Sequence, residues 1–156
     1  DQVVVADVVN SALRFLSNEV KDKAVIEQKL PPGQTVLANK NKLIHLFVNL
    51  IQNSLDALRS KQFPNEEQPT IWIEGHVENG ASYLLVRDNG PGIPEAIREQ
   101  MFYPLVSGRE GGSGLGLTLA QYFILLHHGS IEVDSRPGRT CFTVMLPLTH
   151  PYQETQ

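Results

Sequence analysis

Two asparagines four residues apart, Asn49 and Asn53, interrupt an otherwise ordinary helical pattern. From about Asn41 to Ser60, Leu43, Ile44, Phe47, Val48, Leu50, Ile51, Leu55 and Leu58 cover a broad apolar arc at about 100° per residue. Opposite them runs a narrow stripe of His45, Asn49, Asn53, Asp56 and Ser60. A solvated stripe is usually rich in Lys and Glu; this one centres on two amides that point the same way from successive turns. An amide oxygen on a rigid helix is a hard ligand of the kind Mg²⁺ accepts while keeping several of its waters. The plainer reading is a polar edge on a core helix, and the helix alone does not decide between them.

A second group follows a strand-like segment directly: Asp88-Asn89-Gly90-Pro91-Gly92-Ile93-Pro94. A carboxylate at a strand end can accept a hydrogen bond from an exocyclic amine such as adenine N6, whose donor character is fixed. Gly90 and Gly92 permit positive φ and leave no side chain to obstruct a flat ring against the backbone. A third group, Gly111-Gly112-Ser113-Gly114-Leu115-Gly116-Leu117, leads into a helix. Glycines there bare backbone N–H groups, and the helix dipole adds positive potential, which together favour an anion. Between the two lie Met101-Phe102-Tyr103-Pro104 and then Ser107-Gly108-Arg109. An aromatic anchor followed by a glycine-rich stretch is how a lid is built, and Arg109 has the fork of donors to meet a terminal phosphate. Each group taken singly has a bland alternative: a tight turn, a linker, a solvated loop arginine.

Their order is more specific than any one of them. Asn49…Asn53, DNGPGIP, FYP and GGSGLGL together resemble the N box, first glycine box, F box and second glycine box of histidine kinases. The resemblance covers roughly residues 3–148, and it implies the Bergerat ATP-binding sandwich shared with DNA gyrase, Hsp90 and the mismatch-repair ATPases. It implies ATP and Mg²⁺ as cofactors, Asn53 as the metal ligand, and Asp88 as the adenine reader. Gly90, Gly92 and Ile93 would shape the base pocket, while Gly112, Gly114 and Gly116 would approach the phosphates. Asp56, Phe102, Ser107, Ser113, Leu115 and Leu117 complete the implied nucleotide lining, with Asn49, Asn53 and Arg109 as the catalytic set. Asn49 takes the place where the ATPase relatives carry a glutamate that activates water. Two departures stand out. Many histidine kinases carry a basic or aromatic residue shortly after the Asn53 equivalent, where Asp56 and Ala57 stand here, which leaves Arg59 a weak phosphate candidate. The lid is short, with nine residues between Phe102 and Gly112.

The elements that must hold these groups can be read from periodicity. Residues 7–22 have the spacing of an amphipathic helix, with Val8, Val9, Ala12, Leu13, Leu16 and Val20 recurring. Ala24–Leu30 and Thr35–Ala38 read as short strands around Pro31-Pro32-Gly33. Thr70–Val77 and Tyr83–Arg87 make a hairpin about Asn79-Gly80. Glu95–Met101 reads as a short helix and Leu115–His127 as a longer one, before strands Ser130–Asp134 and Cys141–Leu146 around Arg136-Pro137-Gly138-Arg139. The order predicts one two-layer α/β sandwich over residues 1–150: a mixed, mostly antiparallel sheet, about three helices on one face, and a lid. Residues 151–156 read as a tail.

Composition bounds the rest. With 13 basic and 17 acidic side chains the net charge is -4, opposite to the balance of a dedicated nucleic-acid binder. There is no apolar run of membrane-spanning length and no signal-peptide pattern after Asp1, so the expected location is cytoplasmic, on a parent that can itself be membrane-anchored. One cysteine, Cys141, cannot form an internal disulfide and reads as a small apolar strand residue. The resemblance implies phosphoryl transfer to a histidine on a separate two-helix dimerisation hairpin, then onward to a response regulator. None of His45, His76, His127, His128 and His150 begins the acceptor motif. The acceptor is therefore expected upstream in the same parent, with this domain monomeric and the parent a homodimer. His127 has a simpler role, complementing a helix C-terminus. The alternatives are a serine kinase of the anti-sigma switch type and an ATP-gated binding module or ATPase.

Overall fold

Asn39 opens the longest helix by accepting a hydrogen bond from the Lys42 N–H at 3.0 Å, a cap worth about 1 kcal/mol. Around it the computed structural model describes residues 2–64, 66–98 and 113–148. In chain order they form β1 (Gln2–Val4), α1 (Val5–Phe15), α2 (Ser17–Val20), β2 (Val25–Lys29), β3 (Thr35–Leu37), α3 (Lys40–Arg59), β4 (Thr70–Glu78) and β5 (Ala81–Asp88). Then follow α4 (Glu95–Arg98), α5 (Ser113–Leu126), β6 (Ser130–Arg136) and β7 (Arg139–Pro147).

The main sheet has the order β2-β4-β5-β7-β6. Only β2 and β4 run parallel, and β3 and α3 supply the long connection that parallel neighbours require. β4 and β5 form the expected hairpin, turned by Asn79 and Gly80 at φ 52° and 78°. Period-two alternation divides the sheet faces. Ile71, Ile73, Leu84, Val86, Phe142, Val144 and Leu146 are buried. They join Val8, Val9 and Ala12 of α1, Leu43, Phe47, Leu50 and Ile51 of α3, and Ala120 and Ile124 of α5 in one core. On the other face Arg87 lies over the Trp72 ring at 4.3 Å and pairs with Glu74 at 3.8 Å. This is the two-layer sandwich that the order of elements predicts. No helix among the described residues is long and apolar enough to cross a membrane.

Several boundaries differ from the sequence reading by a residue or two, and three differences bear on the fold. The helix expected over 7–22 starts at Val5 and is divided at Leu16, leaving α2 as a separate turn. Gln2–Val4 is a strand, paired antiparallel with β3, which buries Val3. Three residues carry too little pattern to declare a strand whose partner lies some thirty residues on. The helix expected from Leu115 begins at Ser113, so Gly114 as well as Gly116 falls in its first turns. Cys141 is buried and free, as expected.

Leu50 sits fully buried at the centre of α3. Leu50→Ala is expected to cost about 2–5 kcal/mol of unfolding free energy, read from the denaturant midpoint at unchanged slope. A loss below about 0.5 kcal/mol, the range of surface changes, would contradict this placement of the core.

Candidate functional site

Asp88 is the last residue of β5, and the strand's alternation turns it toward the core with Leu84 and Val86. It is 2% exposed. Its Oδ1 accepts the Gly90 N–H at 2.9 Å, so the loop after the strand folds back on its own carboxylate. Burial pushes the Asp88 carboxyl above its ordinary pKa; the Gly90 N–H, the Ser54 hydroxyl and the Lys61 charge pull it back toward ionisation. Without a ligand, this group bears a desolvation cost that a hydrogen-bond donor would relieve.

The loop is held from several sides. The Asn89 side chain accepts from the Thr70 N–H and donates to the Gln68 carbonyl oxygen, both at 2.9 Å. The Asn89 carbonyl oxygen accepts from Lys61 Nζ at 2.9 Å. Lys61 also pairs with Glu67 at 3.2 Å and lies over the Phe63 ring. Glycine is required at two places for different reasons. A Cβ on Gly90 would stand 2.8 Å from Asp88 Oδ1 and 3.4 Å from Ala57 Cβ of α3. Gly92, at φ 90°, would drive a Cβ to 2.6 Å from the Arg136 carbonyl oxygen. The loop is thus a close-packed cradle between α3 and the β6–β7 turn.

Across the sheet, Asp88 pairs with Thr140 and Thr140 with Ser135. The Ser135 and Thr140 hydroxyls are 2.9 Å apart, and Ser135 Oγ accepts the Ile93 N–H at 2.7 Å. All three residues are buried. They form a polar row across three strands at one end of an apolar core. A recess of about 650 Å³ beside the row is lined by Ser60, Gly92, Ile93, Pro94 and Arg136, among others. Sequence reasoning missed Thr140, Ser135 and Ser54. Each is an ordinary residue type, and only strand register and helix packing bring them to Asp88. The polar positions on strands otherwise patterned for burial were the available signal.

On α3, Asn53 is buried at 8% exposure, while Asn49 is half-buried. Ser54 and Ala57 bring this stretch of α3 against Asp88 and Gly90. Asp56 is engaged along its own helix, accepting from Gln52 Nε2 at 3.0 Å and pairing with Arg59 at 3.4 Å. Asn49 also lines a groove of about 330 Å³ between α3 and α5, together with Lys42, His45, Tyr122, Phe123 and Leu126. Beside it Tyr122, Leu125 and Leu126 are more than half exposed. His127 stands at the end of α5, its Nδ1 2.8 Å from the Phe123 carbonyl oxygen and its Nε2 3.4 Å from the Asn39 nitrogen. It therefore ties the end of α5 to the start of α3, more than the single-helix role expected of it. Phe102, Ser107, Arg109 and Gly112, with the expected lid, lie outside the described residues, as does His150. For Ser113, Gly114, Leu115, Gly116 and Leu117 the backbone alone is described, as the start of α5.

The donor set fits an adenine nucleotide. A buried carboxylate needs a donor, a glycine cradle has no side chains to obstruct a ring, and amides one turn away supply hard oxygens. Helices on one face of a mixed sheet, with such a site at their edge, define the ATP-binding sandwich. The chain belongs to the family described as histidine kinase-, DNA gyrase B- and HSP90-like ATPases, which it matches over residues 38–150. Among its relatives is the sensory histidine kinase/phosphatase NtrB of Vibrio alginolyticus, 32% identical over 147 residues that are 90% of this chain and 42% of the relative. Another is the C4-dicarboxylate transport sensor protein DctB of Rhizobium meliloti, 35% identical over 90% of this chain and 22% of the relative. The chain thus spans less than half the length of the relatives it matches. The catalytic domain of histidine kinase ThkA superposes with a TM-score of 0.82 at 21% identity, covering 96% of this chain and 95% of that one. At that identity the likeness is one of fold.

Replacing Asp88 by asparagine tests the electrostatics. A carboxyl whose folded pKa is raised favours folding fully below its unfolded value, and that contribution is lost as pH rises through the folded value. Asp88→Asn lacks this cost and can still accept from Gly90. The ligand-free variant is expected to melt at or above the parent's temperature at neutral pH, the difference shrinking as pH falls through the raised pKa. A variant less stable at pH 7 than the parent, by a margin independent of pH, would contradict it.

Proposed function

We propose that this domain binds Mg-ATP and donates the γ-phosphoryl group to a histidine on a separate helical hairpin of its parent protein. The observation that carries the reading is the buried Asp88 carboxylate, set in a glycine cradle against the helix that bears Asn49 and Asn53. Its family and its sensory-kinase relatives agree with it.

In this reading Asp88 accepts from the adenine N6 amine, and Ile93 and the cradle glycines bound the base. Asn53 would lend its amide oxygen to the metal, and the first-turn N–H groups of α5, from Ser113 to Leu117, would meet the phosphates. Bound Mg²⁺ would neutralise phosphate charge as transfer proceeds. Arg109, from the segment between the two glycine boxes, would add its forked donors at the γ-phosphate. Asn49 is an amide whose oxygen cannot take a proton near neutral pH, so water gains no general base from it. An incoming imidazole is already a nucleophile and needs only orientation. The groove lined by Asn49, with Tyr122, Leu125 and Leu126 beside it, supplies an apolar surface on which such a hairpin can rest. A response regulator would then take the phosphoryl group from the hairpin.

Mixing the domain with a separately made hairpin from its own parent should label that hairpin on one histidine, slowly and only with Mg²⁺. Asn53→Ala should reduce the labelling at least about tenfold, as expected when a positioned metal contact is lost, while its melting temperature stays near the parent's. Rapid ATP hydrolysis by the domain alone would favour the ATPase reading. Labelling of a serine would favour the switch-kinase reading.

A further inference from the structure

Asp56 is the only carboxylate on α3, and it stands in the last turn of that helix. The carbonyl ends of the peptide dipoles gather there, so a negative side chain is disfavoured by its own helix. Arg59 pairs with it at 3.4 Å and Gln52 Nε2 donates to it at 3.0 Å, both on Oδ1. These contacts hold the group to the helix surface but do not account for an acid at this place. The Arg59 side chain is half exposed, and ion pairs of that kind contribute little.

What distinguishes the position is its face. Asp56 lies about 60° around the helix from Asn53 and one turn farther on, with their Cβ atoms about 5–6 Å apart. Asn53 is buried while the Asp56 side chain is 30% exposed, so the carboxylate stands on the solvent side of the amide. A phosphate chain reaching Asn53 would come close to it. Groups of like charge repel at that range unless a cation lies between them. Resting on the ATP reading above, we propose that Asp56 is a positioning residue for the metal: it accepts hydrogen bonds from the waters of an Mg²⁺ ion held by Asn53, and so makes the site select metal-loaded nucleotide. Mg²⁺ keeps several of its waters, and hydrogen bonds to an ionised carboxylate are the strong ones. The carboxylate then acts oppositely on the two forms of the ligand. It attracts Mg-ATP through the metal's waters and repels the bare phosphates of ATP alone.

Asp56→Asn tests this, since it removes the charge and keeps the size of the side chain. Calorimetry with Mg-ATP gives one affinity, and displacement of a fluorescent ATP analogue in EDTA gives the metal-free one. Their ratio is the readout, because damage to the fold weakens both alike. In the variant Mg-ATP should bind roughly tenfold more weakly, as when a support of a metal site is lost. Metal-free ATP should bind as tightly as to the parent or a few-fold tighter, the more so at low salt. The advantage of Mg-ATP over ATP should therefore shrink at least about fivefold. A smaller change in that ratio, or a larger advantage, would overturn the proposal. A parent domain that binds ATP equally with and without Mg²⁺ would overturn the metal's part in the site. One that binds neither form would overturn the ATP reading itself, and this inference with it.

Discussion

A carboxylate has been taken out of water at the end of a central strand, and the surrounding structure follows from keeping it there. Burying an unpaired charge is costly, and a protein can avoid the cost by protonating the group or by surrounding it with donors. Asp88 is given the Gly90 N–H, a nearby serine hydroxyl and the charge of Lys61, which together oppose the effect of burial without cancelling it. The helix that flanks it, the loop that follows it and the turn beneath that loop are packed closely enough that two glycines cannot gain a Cβ. The loop is therefore closely packed around the carboxylate, which keeps acceptor capacity beyond its bond from Gly90.

The same constraint explains why the polar row stands where it does. Apolar alternation runs along β5 and β7 and then stops at Asp88 and Thr140, which are register partners at the end of the strands. A polar group there can be shielded on three sides yet still meet a ligand from the fourth. The loop's backbone is held by side chains from outside the site: Asn89 reaches the Gln68–Thr70 segment, and Lys61 reaches the loop carbonyl. In the proposed ATP reading, base-facing and loop-holding tasks would be carried by different residues, so a change to one need not disturb the other.

Much of this was legible in the sequence because it was local. The apolar arc of α3, the Asn79-Gly80 hairpin and the DNGPG loop each announce themselves within a few residues. The glycine boxes and the paired amides, in their order, pointed to the family that the comparison over residues 38–150 establishes. What escaped was non-local. β1 is made by pairing with β3, not by its own three residues. Ser54, Ser135 and Thr140 lie far from Asp88 in sequence, and nothing in their types marks them as its neighbours. The start of α5 was placed two residues late because a glycine argues against a helix, a propensity that the fold overrides at Gly114.

The central claim is that Asp88 reads adenine by accepting from its exocyclic amine, and calorimetry of the isolated domain with two nucleotides tests it most directly. Guanine presents a carbonyl oxygen where adenine presents the amine, so a carboxylate there would repel it. Titration with Mg-ATP is predicted to give a saturable one-to-one isotherm, and Mg-GTP at the same concentrations is predicted to give none. Mg-GTP bound as tightly as Mg-ATP would contradict the account.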